Sequence, residues 1–185
     1  MTQRFRGQRA LVTAGAAGFG LATARALAAE GARLALLDID AARLDAAAAG
    51  LRATGAEAVA LAGSVAEPEE VAEAFAEIDA RWGGLDILVN NAGVIGKRAA
   101  LELTDEEWSR VMRINLDGVF FCAREAGRRM VAQGSGAIVN LGSIYSLVAA
   151  PERLPYPASQ AAAAALTDAL GVGWAAPGPC VHAPA

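Results

Sequence analysis

Three glycines stand early in the chain at a spacing that lets bare backbone approach a charged ligand. Gly15, Gly18 and Gly20 follow a short apolar run at residues 10–12 and lead into residues 21–27, which have helical periodicity. A strand, a glycine turn and a helix open a βαβ unit, and the N–H groups at the start of such a helix bind pyrophosphate. The spacing is not G-x-G-x-x-G, and close packing of a helix on a strand also produces such a turn. The turn alone therefore leaves both interpretations open.

Small and polar residues follow each of the other predicted strands. Asp38 ends the second apolar run, Ser64 follows the third, Asn91 follows the fourth and Ser143 follows the fifth. Because strands and helices alternate, the sequence predicts an α/β fold with a doubly wound parallel sheet, in a single three-layer α/β/α domain over 1–185. Ligands of such sheets bind at the carboxyl ends of the strands. This coincidence favours a ligand site at the glycine turn.

Composition and charge exclude several classes of function. The net charge is −4 at pH 7 and no Lys/Arg cluster stands out, so we expect no nucleic-acid partner. The two cysteines, Cys122 and Cys180, and the single histidine, His182, argue against a disulfide framework, a metal site and a Ser-His-Asp triad. No apolar run is long enough to span a bilayer and no signal-peptide h-region precedes the first strand. We therefore expect a cytoplasmic protein without a membrane partner.

Five stretches together resemble the short-chain dehydrogenase/reductase family. They are TAGAAGFG at 13–20, NNAG at 90–93, RINLDGVF at 113–120, IVNLGS at 138–143 and YPASQ at 156–160, in the family's order. The resemblance covers most of the chain and implies a Rossmann-like fold that binds a nicotinamide dinucleotide. It further implies an oxidoreductase whose small-molecule substrate is a secondary alcohol, such as a polyol or a cyclic alcohol, or the corresponding ketone.

The resemblance also implies roles for individual residues. Tyr156 would be the general acid/base and Ser143 would orient the substrate oxygen. Asn115 would belong to a proton path, and Gln160 occupies the position of the family's catalytic lysine. Ser64 stands where many members have an aspartate that contacts the adenine. The positions expected to contact the dinucleotide are Gly15, Gly18, Phe19, Gly20, Asp38, Ser64, Val65, Asn91, Ala92, Gly93, Tyr156 and Gln160.

Asp38 bears on the choice between the two nicotinamide dinucleotides. It follows Gly20 by 18 residues and ends the second predicted strand. A carboxylate placed there accepts hydrogen bonds from the adenosine ribose hydroxyls and repels a 2′-phosphate, which favours NAD over NADP. Ala17 agrees, because NADP-preferring members of the family often have a basic residue at its position. A capping or turn role for Asp38 is the alternative.

Two departures from the family pattern bear on binding and catalysis. Gln160 is neutral, whereas the family's lysine lowers the pKa of the tyrosine and binds the nicotinamide ribose. Since free tyrosine titrates near ~10, we expect slow turnover with an alkaline-shifted optimum, or none. Ala14 stands where the family's turn usually has its first glycine. We expect Gly15 to absorb the turn, because alanine does not easily adopt a positive φ.

The C-terminal stretch and two helices complete the expectations. The sequence predicts a short strand at 180–182 after a Pro-Gly turn at 177–178. The substrate-covering loop and last strand that family members usually have would be lacking, which leaves the pocket without a lid. Helices over 104–132, with Asn115 in its apolar stripe, and over 157–170 would form a homo-oligomer, a dimer or a tetramer. A catalytically impaired NAD(H)-binding homologue and a non-enzymatic interaction subunit are the alternatives.

Overall fold

A parallel sheet of six strands forms the centre of the structure. The structure is a computed structural model that describes residues 3–149, 151–174 and 179–183, and its strands are β1 (Arg9–Thr13), β2 (Arg33–Asp38), β3 (Ala58–Ala62), β4 (Ile87–Asn90), β5 (Ala137–Asn140) and β6 (Cys180–His182). They lie in the order β3-β2-β1-β4-β5-β6, and each neighbouring pair is parallel. The strand order reverses between β1 and β4, where open α/β sheets bind their ligands. The predicted doubly wound sheet is confirmed.

Helices cover both faces of the sheet and complete three layers. The helices of the described residues are α1 (Gly18–Ala29), α2 (Ala41–Ala53), α3 (Pro68–Trp82), α4 (Asp105–Met112), α5 (Gly118–Gln133) and α6 (Pro155–Gly173). Helices α1 and α2 pack on one face around Ala24 and Leu44, whereas α3 and α5 pack on the other around Phe75 and Met130. Among the described residues, none of the helices combines the length and the apolar composition needed to cross a bilayer.

Local signals explain where several helices begin and end. Asp40 caps α2 by accepting the N–H of Arg43 at 3.0 Å. The expected capping box is present at α4, where the Thr104 hydroxyl accepts the N–H of Glu107 at 3.2 Å and the Glu107 carboxylate accepts the N–H of Thr104 at 3.3 Å. Gly83 ends α3 in the left-handed conformation, which glycine adopts without steric cost.

The helix expected over 104–132 is present over residues 105–133 and contains one irregular turn. A π-helical turn, Arg113–Asp117, separates α4 from α5, and the buried Asn115 lies within it. A π-helical turn closes its hydrogen bonds one residue later than an α-helical turn, so it rotates the following residues relative to a regular helix. The apolar stripe of the sequence does not reveal this local change. The predicted long helix is therefore confirmed, with a π-helical turn in it that the sequence did not indicate.

An ion pair connects the amino ends of two central strands, on the side of the sheet opposite the polar residues that follow the strands. The Arg9 guanidinium donates to both carboxylate oxygens of Asp86, at 2.8 Å and 2.6 Å, at the start of β1 and just before β4. Arg9 holds the pKa of the Asp86 carboxyl below its ordinary value. The predicted strand at 180–182 is present as β6, whereas the Pro-Gly turn at 177–178 lies outside the described residues.

Candidate active site

The turn between β1 and α1 is made by an alanine and not by the glycine beside it. Ala14 has φ of 49°, in the left-handed region, and Gly18 has φ of 53°. Gly15 is buried, and a Cβ built on it would lie 3.0 Å from the Leu36 side chain and 3.0 Å from the Val12 carbonyl oxygen. Gly15 is therefore required for the packing of the turn against β2. The expectation that Gly15 would absorb the turn is wrong, and the backbone strain falls on Ala14.

The start of α1 presents bare backbone to solvent. A Cβ on Gly18 would meet no described atom within 4 Å, and the Phe19 side chain is 83% exposed. A Cβ on Gly20, in contrast, would collide with the Ala14 carbonyl oxygen and lie 2.7 Å from Nδ2 of Asn91. Among the described residues, no side chain caps the first turn of the helix, so its amides are available to an anion.

The loop after β4 is fastened to this turn by side-chain hydrogen bonds. The buried Thr13 hydroxyl accepts the N–H groups of Asn91 and Ala92, both at 3.0 Å. The Asn91 side chain donates to the carbonyl oxygens of Thr13 at 3.0 Å and of Ala14 at 3.3 Å. Sequence reasoning missed Thr13, although it is the first residue of the TAGAAGFG stretch. These bonds couple two of the predicted cofactor segments.

A hollow of about 210 Å³ lies at the carboxyl ends of the strands on the β2 side of the turn. Five predicted cofactor residues line it: Asp38, Ser64, Val65, Ala92 and Gly93. The turn between β1 and α1 lies next to this wall, and Ala14 belongs to both the turn and the wall. The other predicted residues of the turn do not line the hollow: Gly15, Gly18, Phe19 and Gly20. The structure thus brings the turn, the end of β2, the loop after β3 and the loop after β4 together.

Asp38 has a structural role as well as a place in the hollow. One carboxylate oxygen accepts the N–H of Ala16 at 3.1 Å, and the other accepts the N–H of Asp40 at 3.1 Å. An ionised carboxylate has about four acceptor positions, so these two bonds leave acceptor capacity for a hydroxyl in the hollow. Ser64 is less available, because its hydroxyl accepts the N–H of Ala66 at 3.1 Å.

Tyr156 and Gln160 form a neutral pair on α6. The Gln160 side chain is buried, and its Nε2 donates to the Tyr156 phenol oxygen at 3.2 Å. The Ser143 hydroxyl accepts the N–H of Tyr145 at 3.2 Å, and the Tyr145 ring packs edge-on against Tyr156 with 6.0 Å between the centroids. Tyr145 therefore contacts both residues that are predicted to carry the catalytic hydroxyls.

The buried cysteine of α5 takes no part in this chemistry. Burial raises the pKa of the Cys122 thiol to about 12, so the thiol is not a nucleophile near neutral pH.

Asn115 holds the loop after β4 against α6. Its Oδ1 accepts the N–H of Val94 at 2.8 Å, and its Nδ2 donates to the Val94 carbonyl oxygen at 2.9 Å and to the Ser159 hydroxyl at 3.1 Å. The Ser159 hydroxyl in turn donates to the Tyr156 carbonyl oxygen at 2.8 Å. The Asn115 side chain thus positions Tyr156 relative to the hollow, because Val94 also lines the hollow. Its part in a proton path stays a prediction.

A second set of buried amides fixes the strand ends below the site. Asn90 Nδ2 donates to Asn140 Oδ1 at 2.9 Å, and Asn140 Nδ2 donates to the Thr167 hydroxyl at 2.9 Å. Thr167 satisfies its own hydroxyl by donating to the Ala163 carbonyl oxygen at 2.7 Å. The ends of β4 and β5 are therefore tied to α6, which carries Tyr156. All partners are satisfied, as buried polar groups require.

Comparison with known proteins identifies the family of the chain. The model of the short chain dehydrogenase family matches residues 8–182. Galactitol 2-dehydrogenase (L-tagatose-forming) from Cereibacter sphaeroides is 45% identical over 182 residues, which are 97% of this chain and 70% of that enzyme. Cis-4-hydroxycyclohexanecarboxylate dehydrogenase from Sinomonas cyclohexanicum is 40% identical over 184 residues, which are 99% of this chain and 74% of that enzyme.

A solved structure agrees with the sequence comparisons. The crystal structure of an NAD+-bound xylitol dehydrogenase superposes with a TM-score of 0.94 at 33% identity, covering 97% of this chain and 70% of the other. Fold, motif order and sequence identity therefore give the same result. The chain belongs to the short-chain dehydrogenase family of oxidoreductases.

Proposed function

We propose that this chain is an NAD-dependent oxidoreductase that interconverts a secondary alcohol, of the polyol or cyclic-alcohol type, and the corresponding ketone. The observation that carries the proposal is the hydrogen-bonded path from Val94, in the wall of the hollow, through Asn115 and Ser159 to Tyr156. The path ends at the backbone carbonyl of Tyr156, so it fixes the position, relative to the hollow, of the residue whose phenol accepts from Gln160 and can exchange a proton. The galactitol and cis-4-hydroxycyclohexanecarboxylate dehydrogenases support the substrate class.

NAD fits the residues of the rim. The uncapped start of α1 at Gly18, Phe19 and Gly20 would hold the pyrophosphate, with Gly15 packed beneath it. The Asp38 carboxylate would accept from the adenosine ribose, with Ser64, Val65, Ala92 and Gly93 in the wall around it, and Asn91 would hold the turn in place. A dinucleotide held by these residues would supply hydride transfer to and from the alcohol carbon. Tyr156 and Gln160 would lie beside its nicotinamide ribose.

The two hydroxyls of the site are arranged as donors. The Ser143 oxygen accepts the N–H of Tyr145 and the Tyr156 oxygen accepts from Gln160. No group in the described part of the chain accepts a hydrogen bond from either hydroxyl, so both can donate to a ligand. Two such donors suit a ketone oxygen, with Tyr156 delivering the proton as the alcohol forms. In the reverse direction Tyr156 must take the alcohol's proton, and the neutral amide of Gln160 stabilises the resulting phenolate only weakly.

Steady-state assays test this proposal. We expect reduction of L-tagatose or a cyclic ketone with NADH to be faster at neutral pH than oxidation of galactitol or cis-4-hydroxycyclohexanecarboxylate with NAD. We further expect the oxidation rate to rise toward alkaline pH. Absence of turnover with every substrate, in a folded sample that binds NADH, would contradict the proposal. That result would leave the second candidate, a catalytically impaired NAD(H)-binding homologue, which the neutral Gln160 favours.

We also propose that residues 1–185 act as one dinucleotide-binding domain of a cytoplasmic homo-oligomer, a dimer or a tetramer. Exposed apolar side chains on α5 and α6, namely Phe120, Val131 and Val172, support self-association through these helices. Sedimentation velocity at micromolar concentration checks this part of the proposal. A single species of monomer mass would contradict it without bearing on NAD binding.

A further inference from the structure

A partly buried arginine beside Tyr156 has no carboxylate partner. Four arginines are partly buried in the part of the chain that the structure describes. Three of them pair with carboxylates: Arg9 with Asp86 at 2.6 Å, Arg124 with Glu125 at 3.8 Å and Arg129 with Asp79 at 2.6 Å. The fourth, Arg153, makes no ion pair with any described residue. A partly desolvated cation is costly unless an anion compensates it, so the exception points to a missing anionic partner.

The position of Arg153 places this cation at the catalytic end of the molecule. Its guanidinium carbon lies 5.8 Å from the centre of the Tyr145 ring, and Tyr145 packs against Tyr156. Its carbonyl oxygen accepts the N–H of Tyr156 at 3.0 Å, which anchors the backbone just before α6. The guanidinium of Arg153 is therefore separated from the Tyr156 ring by the Tyr145 ring alone. The contact with the Tyr145 ring places the guanidinium carbon beside it, and no described residue accepts a hydrogen bond from the Arg153 side chain.

A cavity adjoins this group. It has a volume of about 560 Å³, and its wall includes Tyr145 and the neighbours of Arg153 in the chain, Glu152 and Leu154. The charged side chains of the wall are already paired: Arg98 with Glu107 at 2.7 Å and Glu152 with Lys97 at 4.0 Å. Arg153 does not itself line the cavity, but it lies between the wall residues Glu152 and Leu154 and makes no ion pair with any described residue.

We propose that Arg153 binds a carboxylate of the substrate, so that within the polyol and cyclic-alcohol class the preferred substrate is a hydroxy acid. The inference rests on the proposed function, because it assumes that the reacting carbon lies at Tyr156. A guanidinium binds a carboxylate through two parallel hydrogen bonds, which orients the ligand as well as holding it. Bound in this way, the acid end of the substrate lies at Arg153 while its alcohol carbon reaches the hydroxyls of Ser143 and Tyr156.

Calorimetric titration of the NADH-saturated protein with two six-carbon ligands tests this inference. D-gluconate and D-glucitol differ in that one end is a carboxylate in the first and a hydroxymethyl group in the second. We expect the Kd of gluconate to be about 10-fold lower than that of glucitol for the wild type. Arg153→Gln should remove this preference and leave the affinities for glucitol and NADH unchanged, whereas Arg153→Lys should retain part of it. The control is Arg25→Gln, an exposed arginine on α1 without a described carboxylate partner, which should behave as the wild type.

Several results would overturn the inference. They are equal affinities for the two ligands in the wild type, no detectable binding of gluconate, and a preference that survives Arg153→Gln. If NADH itself does not bind, the proposed function fails, and the same titrations are made on the protein alone. A preference for gluconate that depends on Arg153 would still support the carboxylate site there, and its absence would overturn it.

Discussion

The two halves of the rim are built in different ways. On the β1–β4 side, backbone groups and side chains form a closed set of hydrogen bonds in which Thr13 and Asn91 fasten the turn and Asp38 braces it. On the α6 side, one hydrogen bond between the neutral Gln160 and Tyr156 takes the place of a charged pair. The loop before α6 also exposes apolar side chains, among them Leu147.

This difference separates two requirements of the chemistry. Binding a dinucleotide needs a shaped backbone, free amides and one carboxylate, all of which the first half provides. Moving a proton at neutral pH needs a phenolate that is stabilised by charge, and the second half offers an amide. We therefore expect binding to be robust and catalysis to be the sensitive property.

The largest effect is expected from Gly20→Ala, which should disrupt the turn between β1 and α1 that is proposed to bind the dinucleotide. The new Cβ would collide with the Ala14 carbonyl oxygen, so backbone must move. We expect a loss of about 1–3 kcal/mol in the free energy of unfolding and a loss of measurable NADH binding. Gly18→Ala is the matched control, because it meets no described atom and costs about 1 kcal/mol through its positive φ. Chemical denaturation measures the stability of both variants, and equal losses would contradict the packing role of Gly20; NADH titration measures the binding loss of Gly20→Ala.

Gln160→Lys should raise the oxidation rate at neutral pH, because it restores a positive charge beside Tyr156. An ammonium group within reach of the Tyr156 oxygen favours the phenolate, so oxidation at neutral pH should rise about 10-fold and the pH optimum should move toward neutrality. Gln160→Glu places a negative charge there and should lower the rate. Profiles of kcat against pH are the measurement. If neither variant changes the profile, then position 160 does not limit the reaction.

Asp86→Asn tests the contribution of the Arg9–Asp86 ion pair to stability, at the end of the sheet far from the dinucleotide and catalytic residues. Arg9 lowers the pKa of Asp86, so the stabilisation is complete above the ordinary aspartate pKa of about 3.9 and is lost as the pH falls through the lowered value. We expect the variant to lose about 1 kcal/mol at neutral pH, because the pair is partly exposed and screened. The difference from wild type should shrink in acid, while NADH affinity stays the same. Urea denaturation at several pH values would show a constant difference if the pair were not responsible.

The smallest effect is expected from relaxing the turn with Ala14→Gly. Removing the strain of a left-handed alanine stabilises the fold, and the greater freedom of glycine in the unfolded chain offsets part of the gain. We expect a net stabilisation of about 0.5 kcal/mol, seen as a raised Tm. Ala17→Gly, at an extended φ of −154°, has no strain to relieve and should destabilise. A lower Tm for Ala14→Gly would show that the turn is not strained.

The sequence allowed much of this arrangement to be predicted, for identifiable reasons. Apolar runs of four to six residues separated by capped helices indicate a parallel α/β sheet, and the polar residues after those runs mark its ligand edge. Asp38, Ser143 and Tyr156 were found in this way and by family resemblance.

Other features depend on tertiary contacts that no local pattern carries. The positive φ of Ala14 belongs to a turn whose Ala14 carbonyl lies against Gly20 and accepts the Asn91 side-chain amide, and Asn91 is distant in the sequence. The π-helical turn at Asn115 is invisible to a periodic stripe, and the missing partner of Arg153 becomes evident only once all other charges are placed. Local sequence propensity does not predict such features, because they depend on contacts between segments that are distant in the sequence.

Calorimetric titration of the wild-type protein with NADH and with NADPH decides whether the hollow beside Asp38 binds NAD. We expect one NADH site per chain and at least about 10-fold weaker binding of NADPH, because Asp38 lines the hollow and would repel a 2′-phosphate. A folded sample that binds neither dinucleotide, or binds NADPH as tightly as NADH, would contradict it.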